Sequence, residues 1–424
     1  MTCRFSKNKK FSFIFGIILS INFTSNVNAT DLEFEDDPIH SILAKLTPDT
    51  VLDPNMEISA FSSETSEGTI GSNIFNFLRQ ATSSIIIASD KCTNEEFLDD
   101  LIGLTDGIEG VLPNVSIKIV TGEDEKTTTA LSKDKYLGRI THQAIQGNPD
   151  RSGKMHNKFI IVDDALVITG SPNLTYAAYN YNIESFVAIH HQYLAGLYSL
   201  YYHYIISGKD KYDETQVEYQ RVKDKLELFN TPENPLQVCL APILSVKDFV
   251  TPQLVSSQII NINMFLISRA EPQDSDIIAH LIRAVQGGAQ LSIKVDGLQY
   301  RLSRYMPLAL APLIAQDQSV YTVVKTPERI TTRTITRPFR TKPQFHDKLV
   351  LIMQADGTKK ICIGSAGFTD NVQDNMNLEN MLLLKISEEN VKLQPIYTNL
   401  LAHFNSIDSN RTGLAVTKVE NDSN

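Results

Sequence analysis

At 424 residues the chain is long for one hydrophobic core and comfortable for two. Its 49 acidic residues outnumber 39 basic ones, giving a net charge of -10. That balance excludes a general nucleic-acid binder with a broad positive surface but leaves room for a local basic site.

The N-terminus reads as a signal peptide over residues 1–29. Arg4, Lys7, Lys9 and Lys10 make a basic start, Phe11 to Phe23 is mostly apolar, and Val27-Asn28-Ala29 offers a small-residue cleavage site. The apolar run falls short of the roughly 20 residues a membrane span needs. An uncleaved anchor is the alternative. Cleavage removes four positive charges and no acidic ones, so the net charge falls from -10 to -14. The chain is therefore expected to be secreted or periplasmic. Cys92, Cys239 and Cys362 remain, an odd number without CxxC spacing, which fits small buried apolar residues better than a zinc site or a disulfide framework.

Residues 30–55 are acidic and proline-punctuated and read as an N-terminal arm with a short helix around His40 to Leu46. From Ile58 onward strands and helices alternate. Asn73–Gln80 and Asn94–Leu104 have helical spacing, the latter with Thr93 or Asn94 as its cap, while Ser84–Ala88 and Val115–Val120 read as strands. Lys126–Gln146 is expected to be helical. Phe186–Ile189 reads as a strand, and Tyr193–Ile206 with Asp213–Leu228 as a bridge between halves. Asn230–Pro235 is a turn-rich linker.

The second half repeats this order. Ile259–Ile267, Gln290–Val295 and Val320–Val324 read as strands, and Ser275–Gln286 and Leu302–Ile314 as helices. The separation from Ile86 to His156 is 70 residues and from Ile260 to His346 is 86. This matching order predicts an internal duplication of one α/β unit. The expected organisation is a signal peptide (1–29), an arm (30–55), a first lobe (56–229), a second lobe (230–410) and a C-terminal tail (411–424). Each lobe is expected to be a mixed sheet flanked by helices.

The chemistry-bearing stretch runs from Lys154 to Glu184. His156-x-Lys158 is followed by Asp163 at a hairpin-like step, then Gly170-Ser171-Pro172-Asn173 and Asn182-x-Glu184. On a strand His156 and Lys158 point the same way, so an imidazole stands beside an ammonium. A second copy holds His346-x-Lys348, Gly364-Ser365 and Asn377-x-Glu379, but Met353 stands at the aspartate position and Gly367 where Asn173 stands. Lys348 to Ser365 spans 17 residues against 13 from Lys158 to Ser171, which predicts a longer hairpin turning at Asp356-Gly357.

Two such copies in one chain resemble the phospholipase D superfamily. The resemblance is specific across the two motif regions. It implies two α/β lobes meeting at one central site, and cleavage of phosphodiesters of phospholipids or nucleic acids through a covalent phosphohistidine without a metal or other cofactor. It implies catalytic roles for His156, Lys158, Asp163, Glu184, His346, Lys348 and Glu379. By the same resemblance His156 is the nucleophile and His346 the acid/base, an order the sequence alone leaves open. Ser171, Asn173, Asn182, Ser365 and Asn377 are candidate substrate-binding residues. Met353 weakens support of the second lobe more than its chemistry.

The residue types suit that chemistry. A neutral imidazole attacks an anionic phosphodiester without charge repulsion, a carboxylate fixes its tautomer, a protonated histidine serves the leaving oxygen, and lysines balance phosphate charge. His190, His191 and His203 lack ligand spacing and fit structural roles. Lys325 to Lys348 carries seven basic residues against Glu328 and Asp347 and leads into His346. It reads either as a solvated loop or edge strand or as a basic rim that attracts phosphate. Phospholipid at a membrane surface is the expected substrate of a monomer. The rivals are an endonuclease of the same superfamily, a non-enzymatic binding protein, and a lipid-synthesising transferase, the last disfavoured because no membrane span follows the signal.

Overall fold

Strands buried on both faces form the centre of each half. The run Ser84–Ser89 forms one such strand and Lys158–Val162 another, paired antiparallel with it, and in both nearly every side chain is buried. That is the pattern of strands covered on both sides. The computed structural model describes residues 38–47, 56–64, 66–105, 115–208, 210–269, 273–316, 319–324, 330–334, 337–341 and 343–409. The expected signal peptide, most of the expected N-terminal arm and the expected C-terminal tail lie outside the described residues.

The first lobe contains β1 (Glu57–Ser62), β2 (Ser84–Ser89), β3 (Ser116–Gly122), β4 (Ile140–Ile145), β5 (Lys158–Val162), β6 (Leu166–Gly170) and β7 (Ser185–His190). They form one sheet in the order β1-β7-β6-β5-β2-β3-β4, with β2, β3 and β4 parallel and the other pairs antiparallel. The lobe's helices are α1 (Pro38–Lys45), α2 (Ile70–Leu78), α3 (Glu95–Gly103), α4 (Glu125–Leu131) and α5 (Tyr176–Asn180). Two helices follow, α6 (Gln192–Ile206) and α7 (Val217–Phe229).

The second lobe contains β8 (Leu236–Leu240), β9 (Ser257–Met264), β10 (Gln290–Asp296), β11 (Ser319–Val324), a separate ribbon of β12 (Ile330–Thr334) and β13 (Arg337–Thr341), then β14 (Lys348–Gln354), β15 (Lys359–Gly364) and β16 (Asn380–Ile386). Its sheet order, β8-β16-β15-β14-β9-β10-β11, repeats the first sheet strand for strand. Its helices are α8 (Val246–Val250), α9 (Ile277–Gln286), α10 (Gly297–Leu302), α11 (Tyr305–Ile314), α12 (Asp370–Gln373) and α13 (Gln394–Ser409). The expected duplicated α/β architecture is therefore what the chain adopts.

Helix α6 joins the two sheets. One hydrophobic cluster holds its Leu194, Leu197 and Tyr201 together with Ile161 and Val187 of the first sheet and Leu349 and Leu382 of the second. Tyr198 meets Phe159 edge-on at 4.9 Å, a geometry worth about 0.5–1.5 kcal/mol beyond the area it buries. Tyr201 Oη accepts from Asn157 Nδ2 in the first lobe and donates to the Ala241 carbonyl in the second. The tyrosine-rich bridge is thus the shared core.

Two expectations need correction. Lys126–Gln146 is not one helix. Its start forms α4, capped by Asp124, and the chain then turns through Gly138 at φ +76° into β4. Thr127, Thr128 and Thr129 give the helix poor propensity, and Ile140–Ile145 alternates in burial as a strand does. Leu302–Ile314 is likewise divided, between α10 and α11 at Ser303-Arg304.

Candidate active site

The two motifs meet across the lobes. The backbone N–H of His156 donates to the Leu378 carbonyl (2.8 Å), and that of His346 to the Ile183 carbonyl (3.0 Å). Each Asn-x-Glu segment therefore docks on the other lobe's His-x-Lys segment. Asn182 accepts from Gln344 N–H (3.0 Å) and Asn377 from Lys154 N–H (2.9 Å). These four hydrogen bonds hold the two sheets in register.

The carboxylates cross with them. His156 Nδ1 lies 2.9 Å from Glu379 Oε2, and His346 Nδ1 lies 2.9 Å from Glu184 Oε1. Glu184 and Glu379 are almost wholly buried. Ser171 Oγ and Asn182 Nδ2 donate to Glu184, and Ser365 Oγ and Asn377 Nδ2 donate to Glu379. Burial works against ionising either acid. The charge of the facing histidine, with lysine and serine donors behind it, outweighs burial and holds both carboxyls below the ordinary range. Each ionised carboxylate fixes a proton on Nδ1 and leaves Nε2 free for chemistry.

The glycine before each serine permits this contact. A Cβ on Gly170 would stand 2.3 Å from the Ser185 carbonyl oxygen, and one on Gly364 would stand 2.3 Å from that of Asn380. Only a bare backbone lets β6 and β15 approach so closely that the next serine reaches the glutamate.

The histidines open into one pocket of about 610 Å³, lined also by Asp90, Lys91, Lys154, Asn173, Asn182, Phe265, Lys348, Asp370, Asn377 and Glu379. Burial pushes the His346 ring down to about 4, with Lys348 and Lys158 adding to the shift against the pull of Glu184. Burial likewise brings Lys348 down to about 7, opposed first by Glu184, and lowers Lys158. Each motif lysine donates to its own histidine's carbonyl, Lys158 to His156 at 2.9 Å and Lys348 to His346 at 2.6 Å, and Lys348 Nζ lies in addition 3.2 Å from both ring nitrogens of His346.

Several candidate residues stand elsewhere than expected. Asp163 is not at the pocket. It sits at φ +51° in the β5–β6 turn, and its carboxylate accepts from the backbone N–H groups of Thr82, Ser83 and Ser84 and from the first two hydroxyls. It clamps the entry to β2. At the corresponding place Met353 faces Ile259 and Lys359 in the ladder, and the Gln354 side chain donates to the Gln253 carbonyl instead. Asp356 accepts from Thr358 N–H in its exposed turn and replaces nothing. Ser171 and Ser365, expected to bind substrate, are fully buried and spend their hydroxyls on the glutamates. Asn182 and Asn377 line the pocket with both ends of their amides engaged, Oδ1 accepting across the lobes and Nδ2 donating to the glutamate of the same segment. Asn173 lines it with a buried Oδ1 that has no protein partner.

Three residues escaped the sequence reading. Asp90 and Phe265 each follow the strand residue paired with a motif lysine, Ser89 with Lys158 and Met264 with Lys348. Asp347 is fully buried and accepts from Ser185, Asn263 and His403, tying α13 beneath His346. Only strand pairing reveals the first two. The adjacency of Asp347 to His346 was the available signal for the third. His191 caps α6 by accepting from Leu194 N–H, a structural role, and Cys92, Cys239 and Cys362 are free and buried.

Residues 74–205 match the family model described as cardiolipin synthase, phospholipase D-like domain. The fold is similar to that of phosphatidylserine synthase from Haemophilus influenzae, at 11% identity and a TM-score of 0.55, over 88% of this chain and 93% of that one. The chain has the phospholipase D fold, and residues 74–205 match that family in sequence. Two further solved structures are similar in part. Nuc from Salmonella typhimurium, described as a phospholipase D family member, has 24% identity and a TM-score of 0.29 over 35% of this chain and 91% of that one. Polyphosphate kinase from Porphyromonas gingivalis has 9% identity and a TM-score of 0.48 over 81% and 50%. No curated protein sequence matches the chain. In this phospholipase D-like fold the second motif, which the family model does not span, completes the pocket.

Proposed function

We propose that the chain is an exported, monomeric phospholipase D-like enzyme that cleaves the head-group phosphodiester of phospholipids and passes the phosphatidyl group to water or an alcohol. One observation carries the chemistry, the two crossed histidine–glutamate pairs facing a single pocket with Lys348. One imidazole attacks phosphorus through Nε2 and forms a P–N bond while the P–O bond to the head group breaks. The other histidine protonates the departing oxygen, then takes a proton from the incoming hydroxyl as that oxygen displaces the first imidazole. The ammonium groups offset charge on the non-bridging oxygens. Every role is filled by this chain's own side chains, and both halves of the site lie in one copy.

The family description and the phosphatidylserine synthase fold support a lipid substrate. So does a corner of the second lobe. Leu302 and Leu308 are 71% and 62% exposed, Arg301 and Arg304 are exposed beside them, and Tyr305–Ile314 contains no charged residue. Exposed apolar side chains among arginines suit a phospholipid surface. An endonuclease is the second reading. The basic stretch favours it, since β12 and β13 form a ribbon carrying Arg333, Arg337 and Arg340 shortly before Gln344 at the pocket.

The test is head-group release from mixed phosphatidylcholine and phosphatidylglycerol vesicles with EDTA present, for wild type and His156→Ala. Release that withstands EDTA and vanishes in the variant is expected. No release, with plasmid nicking that depends on His156, would replace the lipid by nucleic acid. Silence of folded protein on both substrates would overturn the enzymatic reading.

A further inference from the structure

The two halves of the pocket differ beside their histidines. Asp90 and Phe265 occupy equivalent places, each directly after the residue paired with the lysine of its own motif. In the first lobe that place holds a carboxylate lining the pocket near His156. In the second it holds an aromatic ring whose centroid lies 4.8 Å from that of His346. The histidine side chains differ accordingly, 20% exposed for His156 and 8% for His346.

We propose that this difference divides the labour, with His346 as the nucleophile and His156, hydrogen-bonded to Glu379 in the half of the pocket that Asp90 lines, as the residue that gives and takes the proton. The assignment rests on the phosphodiesterase reading above and reverses the order implied by family resemblance. A nucleophile must be unprotonated. Burial, to which Phe265 contributes, and Lys348 Nζ 3.2 Å from both ring nitrogens outweigh the pull of Glu184 and disfavour a positive His346. Burial and those cations bring that ring down to about 4, so at neutral pH it is a neutral imidazole hydrogen-bonded to an ionised Glu184. A general acid must carry a proton. Around His156 stand the acids Asp90 and Glu379 and the cations Lys91, Lys154 and Lys158. Lys158 and Lys348 both donate to their own histidine's carbonyl, and it is Lys348 that also stands within 3.2 Å of its ring nitrogens. Burial opposes ionisation of Asp90, but the positive charge of His156 first, then of Lys158, Lys91 and Lys154, holds its carboxyl below the ordinary range. A second carboxylate beside an imidazolium stabilises the charge that the acid must carry.

The step balances. The Nε2 lone pair of His346 forms the P–N bond as the P–O bond breaks, and the leaving oxygen takes the Nε2 proton of His156. Water then loses a proton to His156 and displaces His346 from phosphorus. Asp90 exchanges no proton and acts as a positioning residue through its charge.

The probe is bis(p-nitrophenyl) phosphate, whose leaving group departs without protonation. His156→Ala should give one equivalent of nitrophenolate in a burst and a stable adduct that peptide mapping at alkaline pH places on His346. Its steady turnover should fall by on the order of 10²–10⁴-fold. His346→Ala should give neither burst nor adduct. An adduct on His156, or a burst from His346→Ala, would overturn the assignment while leaving the phosphodiesterase reading intact. Absence of any burst or turnover from wild type on this diester and on phosphatidylcholine would remove both. Asp90→Asn should lower choline release from phosphatidylcholine about tenfold more than nitrophenolate release and move the alkaline limb of the pH profile to lower pH, with Asp90→Glu restoring part of each. Equal losses on both substrates with an unmoved limb, in protein whose circular dichroism matches wild type, would overturn the role of Asp90.

Discussion

Each glutamate of the pocket does one job that its isostere cannot. Glu379→Gln and Glu184→Gln keep size and hydrogen-bonding capacity but remove the charge that fixes the proton on Nδ1. Either change should lower kcat on the order of 10²–10⁴-fold with little change in thermal midpoint. Turnover within threefold of wild type would refute the pairing. The buried ring of His346 also makes a prediction about pH and stability. Its folded value near 4 lies below the ordinary 6.5, so below pH 6.5 the unfolded chain binds a proton that the folded chain refuses. The contribution is therefore present above 6.5 and is lost as pH falls toward 4. Urea midpoints measured across that window should fall more steeply for wild type than for His346→Asn, and parallel curves would refute it. At this scale His-x-Lys and Asn-x-Glu were legible because their spacing is itself the signal. Asp90 and Phe265 were not, because each gains its place only from the partner of its neighbouring strand. The glutamate contacts of Ser171 and Ser365 were not legible, since a sequence does not show whether a hydroxyl faces solvent or an acid.

At the level of the elements, the β5–β6 turn separates support from chemistry. Asp163→Ala removes acceptors from three backbone N–H groups and should cost about 1–3 kcal/mol in unfolding free energy, while turnover per folded molecule stays within a few-fold of wild type. Loss of activity without loss of stability would restore the expected role in catalysis. Met353→Asp should bring no gain in activity, since Gln354 and Ala355 already hold the corresponding loop of the second lobe through Gln253 and Ser256. Most strands and helices were legible from apolar spacing. The exception at Lys126–Gln146 arose where mixed polar and β-branched residues hide a two-residue period, and β4 is an edge strand with only Ile145 buried.

The whole molecule depends on α6. Tyr201 links Asn157 of one lobe to Ala241 of the other, so Tyr201→Phe leaves polar groups on both sides without that hydroxyl and should cost about 1–3 kcal/mol. If the lobes part before they unfold, heating this variant should abolish turnover at a lower temperature than it abolishes helical circular dichroism. Coincident loss would show the lobes to be one cooperative unit. The duplication was legible in the order of elements, and the crossing of the glutamates was not, because nothing in a repeat states which copy serves which.

The crossing also sets a timetable. His156 precedes its acid partner by 223 residues and Glu184 precedes His346 by 162, so a ribosome finishes the whole first lobe with neither pair made. The chemistry switches on only after Glu379 has been translated and β16 has been laid in place. On the phosphodiesterase reading, a nascent or truncated chain that holds only the first lobe is chemically silent, because neither imidazole yet faces its carboxylate.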